Sequence, residues 1–239
     1  MNAGGKVAPH EIASKTQMFT ERYMVEWLLQ NSLGDLWLAI CRKNGWTPEA
    51  ESVFTALDAR RAAWREARAK DEVPATEPMA VSEGLEERWK WWVTKPAPEG
   101  EDEGTPASIR DAKLFDPACG SGHFLVSAFD HFAALYREEA RHRGEAWSEK
   151  QIAEEILERN LFGVDIDPRA VQIAAAGLYL KARALDRDAR PRTLNLVAPA
   201  LGLANLPPGD PALVKLRDEL KAEAGVPHEL TDAVLTALS

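Results

Sequence analysis

Leu114-Phe115-Asp116-Pro117-Ala118-Cys119-Gly120-Ser121-Gly122-His123-Phe124-Leu125 is the stretch on which the fold turns. Lys113 to Asp116 reads as a short strand ending in an acid. A tight loop of small residues follows, and a helix begins near Gly122. Gly120 and Gly122 permit positive φ and a close approach of backbone to a ligand. In open α/β sheets such a loop lies at the carboxyl edge of the strands, where ligands bind. Two phosphate-cradling loops are disfavoured: a dinucleotide fingerprint needs a third glycine where Leu125 stands, and a P-loop needs a lysine where His123 stands. Asp116 beside the loop suits a cationic ligand better than an anionic one.

Downstream, the spacing predicts a helix over 122–139 that buries Phe124, Leu125, Ala128, Phe129, Phe132, Leu135 and Tyr136. Ser148 and Gln151 read as a capping box for a helix ending near Arg159. The second informative stretch is Leu161-Phe162-Gly163-Val164-Asp165-Ile166-Asp167-Pro168, a buried strand over 161–166 followed by a helix to about Leu185. An acid in the place of Asp165 can accept hydrogen bonds from both hydroxyls of a ribose. Asp167 is better explained as the helix cap, with Pro168 at the first position. Asp165 lies 43 residues beyond Gly122, against about 20 in a dinucleotide fold; the capped helix accounts for the surplus. Residues 193–198 make a third strand. Strands alternating with helices imply an α/β fold with a parallel sheet.

Upstream, residues 17–45 read as helical, with Asn31-Ser32-Leu33-Gly34 a possible break into two helices, and 48–70 as a helix carrying Val53, Leu57 and Trp64. Residues 71–111 are acidic and punctuated by proline, loop and linker around one short helix over 82–92. In that acidic setting Trp89, Trp91 and Trp92 point to packing rather than to stacking on bases. Residues 210–239 read as one or two amphipathic helices. The expected organisation is a helical region over 1–70, an acidic insertion over 71–111, an α/β core over 112–205 and a helical tail over 206–239.

Composition bounds the rest. In 239 residues, 45% are apolar and 28% charged, enough for a real core. No run is long and apolar enough for a membrane span and the N-terminus lacks an apolar signal core, so a cytoplasmic protein is expected. Cys41 and Cys119 form no disulfide framework and no zinc-type spacing, so no metal is expected. Cys119 reads as a small packing residue rather than a nucleophile, His123 as a loop contact and His131 as a helix-face residue. A net charge of -9 places any DNA-gripping surface mostly elsewhere.

DPACGSGHFL followed by LFGVDIDPRAVQIA resembles motifs I and II of the adenine-specific (N6) DNA methyltransferases. Thr16 to Val25, then WLLQNSLGDLWL, resembles their motif X, and with KAR at 181–183 the likeness is greatest to the large enzymes of BREX phage-defence systems and to fused type II restriction–modification proteins. The likeness covers 16–45 and 113–205. It implies a partial Rossmann-like class I sheet preceded by a helical region, with S-adenosylmethionine as cofactor. By the same resemblance Thr20 would contact the methionine carboxylate. Asp116, Ala118, Cys119, Gly120 and Gly122 would line the methionine and sulfonium end, Asp165 would hold the ribose hydroxyls, and Ile166 would pack on the adenine. Glu21 departs from the proline usual after that threonine.

The family's catalytic [DNS]PP[YF] is absent, and Asn205-Leu206-Pro207-Pro208-Gly209 does not replace it. The expectation is therefore the cofactor-binding portion of a methyltransferase acting on double-stranded DNA, inactive alone. It would be completed by a catalytic and target-recognition polypeptide or by a missing C-terminal half. The alternatives are a non-catalytic cofactor-binding or interaction subunit, a methyltransferase of protein glutamine or RNA, and a plain nucleotide-binding module.

Overall fold

The computed structural model describes residues 20–74, 77–95, 104–199 and scattered positions from 210 to 219. They form helices α1 (Arg22–Asn44), α2 (Glu51–Ala69) and a short α3 (Leu85–Trp89), then a 3-10 turn (Ile109–Asp111) and strand β1 (Leu114–Asp116). Helix α4 (His123–Arg143) follows, then α5 (Glu149–Glu155), which widens into a π-helical turn (Ile156–Asn160). Strand β2 (Leu161–Val164), helix α6 (Pro168–Leu185) and strand β3 (Asn195–Val197) complete the order. The expected tail, and the Asn205–Gly209 stretch, lie almost wholly outside the described residues. No helix among the described residues is long and apolar enough to cross a membrane.

The strands form one parallel sheet in the order β1-β2-β3, with Asp116 beside Gly163 and Gly163 beside Leu196. Parallel neighbours need a long crossover, and helices supply it here. Alternation puts Leu114, Asp116, Leu161, Gly163 and Leu196 on one face and Phe115, Phe162, Val164 and Val197 on the other. The first face packs into the apolar core with Leu125 of α4 and with α6. On the second face, Phe115 stays 60% exposed and Val197 53% exposed.

Helix α4 is the element around which the others gather. It buries Leu125, Ala128, Phe129, Phe132, Leu135 and Tyr136, and it packs against α1, α6 and β2. It ends at Gly144, whose φ of 66° is the left-handed cap that glycine favours. Arg141 and Arg143 sit in its last turn, where positive charge complements the helix dipole.

The expected break at Asn31–Gly34 does not occur: α1 is continuous from Arg22 to Asn44. Those breaker-like residues instead receive the tryptophan segment. The Asn31 amide donates to the Trp91 carbonyl at 2.8 Å and accepts from Val93 N–H at 2.9 Å, while Gln30 accepts from Trp91 N–H at 2.7 Å. Gly34 lets the indole of Trp89 lie against the helix backbone, since a Cβ there would stand 2.9 Å from Cζ3. Trp89 and Trp92 are buried, and Trp92 stacks on Phe54 at 4.2 Å. Packing is what these two rings do, while Trp91 stays half-buried, its ring 6.2 Å from that of the exposed Tyr23. The short helix is only Leu85–Trp89 because the chain beyond it turns to bond with α1.

The capping box at Ser148 and Gln151 is present in both directions. The helix it starts ends in the π-helical turn, which carries Asn160 fully inside. There the Asn160 amide donates to the carbonyls of Ala112 at 2.7 Å and Ile109 at 3.1 Å, and accepts from the Tyr136 hydroxyl at 2.8 Å. One side chain thus joins the entry to β1, the entry to β2 and α4. Asn160→Ala leaves that hydroxyl and the carbonyls buried without partners. Urea unfolding should show a loss of about 3 kcal/mol, from penalties of about 1–3 kcal/mol per orphaned group; a loss under about 1 kcal/mol would rule out this joining role.

Candidate functional site

The glycine loop and the turn after β2 meet at the carboxyl ends of the strands. Cys119 N–H donates to the Val164 carbonyl at 2.9 Å, and Gly122 N–H to the Cys119 carbonyl at 2.8 Å. Asp116 accepts from Ala118 N–H at 3.1 Å, which closes the turn behind β1. Asp165 joins the two segments: Oδ2 accepts from Gly120 N–H at 2.8 Å and Oδ1 from Asp167 N–H at 2.9 Å. Its own N–H donates to the Val197 carbonyl at 3.1 Å. An ionised carboxylate has about four acceptor sites, so Asp165 keeps capacity for further donors after serving both loops. Beside it, Ile166 is 74% exposed.

The two glycines of the loop do different work. Gly122 has φ 83°, and a Cβ there would stand 2.8 Å from Ala174 Cβ and 3.0 Å from its Cα, so α4 starts in direct contact with α6. Gly120 has φ 51° and nothing within 4 Å of where a Cβ would lie. The first is a packing glycine; the second faces open space beside Asp165.

Cys119 is buried, and burial pushes its thiol up, with Asp116 and Asp165 adding to the effect. That fits the packing role and opposes a nucleophilic one. The Asp167 carboxylate is held below the usual range by the Arg169 N–H that it caps, at 2.9 Å, and Pro168 follows as the first helical residue. His123 is exposed at the start of α4. His131 bonds Glu26 at 2.7 Å, tying α4 to α1 and holding the Glu26 carboxyl low.

Thr20 is exposed just ahead of α1, and no hydrogen bond among the described residues links it to the glycine loop. The Glu26–His131 pair holds the start of α1 eight residues along α4, about 12 Å from the loop by helical rise. Glu21 has φ −56°, an angle proline itself would hold, so the residue there does not bar the expected turn. Gly163 is the position that sequence reasoning passed over. A Cβ there would lie 2.9 Å from Leu125 Cδ1 and from Leu196 Cδ2, and 3.0 Å from Cys119 Sγ. A glycine inside a strand is itself the signal of such a close approach.

The loop geometry separates two substitutions. Gly122→Ala meets both a positive φ and the backbone of α6, and should cost about 3 kcal/mol. Gly120→Ala meets only the positive φ, at about 1 kcal/mol. Urea midpoints of the two variants test the order; equal losses would refute the division of roles.

Residues 105–206 match the family described as the DNA-methyltransferase domain of MmeI. The chain is 32% identical over 186 residues to the adenine-specific methyltransferase BrxX of Escherichia coli O9:H4 (strain HS), covering 77% of this chain and 12% of that protein. It is 29% identical over 187 residues to the adenine-specific methyltransferase PglX of Lacticaseibacillus casei (strain Zhang), covering 76% of this chain and 12% of that protein. A putative type II restriction enzyme and methyltransferase of Methanocaldococcus jannaschii is 39% identical over 71 residues, 28% of this chain and 6% of that protein. The resemblance carried by the two motifs is thus borne out, and the chain spans only about an eighth of the length of the first two relatives.

Proposed function

We propose that this chain, related in sequence to the adenine-specific methyltransferases PglX and BrxX, forms the S-adenosylmethionine-binding part of a DNA adenine-N6 methyltransferase of phage defence or restriction–modification. The observation that carries the reading is the Asp165 carboxylate, tied to Gly120 N–H at 2.8 Å with acceptor sites to spare and an exposed Ile166 beside it. The residues fit the cofactor. Asp165 accepts the two ribose hydroxyls, Ile166 offers an apolar face to the adenine, and Gly120 leaves the space that a side chain would fill. Ala118, Cys119, Gly120 and Gly122 line the methionine end, and Asp116 supplies negative charge towards its cationic groups. Thr20, assigned to the methionine carboxylate, rests on the motif resemblance alone.

When bound, the cofactor supplies an activated methyl group on a sulfonium. The chain's own residues hold and orient it; positioning of this kind is a major part of what such an enzyme contributes. An adenine extruded from duplex DNA needs a second set of groups, and the family's [DNS]PP[YF] has no counterpart in this sequence. The proposed activity therefore requires a catalytic and target-recognition segment beyond these residues. A second reading, a cofactor-binding or interaction subunit that pairs with a separate catalytic polypeptide, draws on the open sheet face at Phe115 and Val197.

Calorimetric titration with S-adenosylhomocysteine tests the reading. The chain should bind it with no competition from NAD or ATP. Asp165→Ala should weaken binding at least about tenfold, since it removes an acceptor of two charge-assisted hydrogen bonds of about 1.5–3 kcal/mol each. A folded wild-type chain that does not bind, or an Asp165→Ala variant that binds equally well, would overturn it.

A further inference from the structure

We propose that Cys41, Glu138 and His142 form a structural zinc site that clamps α1 to the far end of α4. A ligand atom from each lies within 4.8 Å of the others. Cys41 comes from the last turns of α1, and Glu138 and His142 stand one turn apart on α4, so the cluster joins two elements remote in sequence. Cys41 is fully buried and Glu138 is 2% exposed. His142 Nε2 is shut off from solvent, points at the cluster and has no hydrogen-bond partner; its approach to Glu138 Oε1 is 3.9 Å.

A buried imidazole nitrogen without a partner is an expensive arrangement unless something binds it. Thiolate, imidazole and carboxylate together form a donor set suited to Zn²⁺. Ligands about 2.0–2.3 Å from a tetrahedral zinc stand about 3.5 Å from one another, so closure needs side-chain rotation of about an ångström. Three protein ligands leave one position for water.

The surroundings are those of oriented ligands. Glu138 Oε1 accepts from Glu49 N–H at 2.8 Å, which fixes the carboxylate. The His142 ring stacks on Trp46 at 5.2 Å with the planes 1° apart, which fixes the imidazole. The charges also balance. A dication bound by one thiolate, one carboxylate and a neutral imidazole leaves the cluster neutral.

The test uses the full chain, freed of metal with a chelator and titrated with Co²⁺ as a spectroscopic stand-in. One equivalent should bind and give a thiolate-to-cobalt charge-transfer band, which Zn²⁺ then abolishes. The band should vanish in Cys41→Ser, persist in Cys119→Ser, and need at least tenfold more Co²⁺ in His142→Gln. Zinc should also raise the thermal midpoint of the wild-type chain and protect one of its two thiols from alkylation, readouts that survive should Cys41→Ser fail to fold. A folded wild-type chain giving no such band, or a band that persists in Cys41→Ser, would overturn the site. Neither result bears on S-adenosylhomocysteine binding at the glycine loop.

Discussion

No side chain fits between the start of α4 and α6, and the rest of the structure is built on that contact. Gly122 places the first turn of α4 against Ala174, and Gly163 brings β2 up against Leu125 and Cys119 directly behind it. These close approaches hold the glycine loop from below. Asp165 holds it from the side through Gly120 N–H. What remains outward is the open side of Gly120, the spare capacity of Asp165 and the exposed Ile166. A loop braced in this way needs little ordering when a ligand arrives, which is how affinity is gained from few contacts.

The features legible in the sequence are those written in a few consecutive residues. The strand–loop–helix at 114–125, the Ser148–Gln151 box and the Asp167–Pro168 helix start all rest on local backbone demands, and all appear where the residues put them. What the sequence did not disclose depends on partners far along the chain. Asn31–Gly34 looks like a breaker because asparagine, serine and glycine disfavour a helix interior. The Trp89–Val93 segment overrides that preference by filling the notch at Gly34 and bonding both polar groups of Asn31. Asn160 and the cluster of Cys41, Glu138 and His142 are invisible for the same reason: each gathers groups from separate elements, and no spacing rule links Asn160 to its partners or Cys41 to the helical pair of Glu138 and His142.

Charge bears on where DNA would be held. Of the basic residues on the described surface, several are taken up by acids of the same chain: Arg137 with Glu149 and Arg141 with Glu49 at 2.6 Å, Arg143 with Glu139 at 2.6 Å, and Arg110 with Glu155 at 2.9 Å. The exposed pairs among these add little stability, and Glu139 of the Arg143 pair is buried, but all of them neutralise guanidinium groups that would otherwise meet phosphates. With a net charge of -9 as well, the described surface offers poor electrostatic steering towards a polyanion.

The open sheet face fits the same picture. A parallel sheet is ordinarily covered on both sides, yet Phe115 and Val197 face outward opposite a first face that α4 and α6 fill. An acidic surface and an uncovered apolar face are what a cofactor-holding part would show if both base recognition and the remaining core were supplied by other polypeptide. Under the proposed function, the surface that grips phosphate and the surface that covers Phe115 both come from polypeptide other than the described residues.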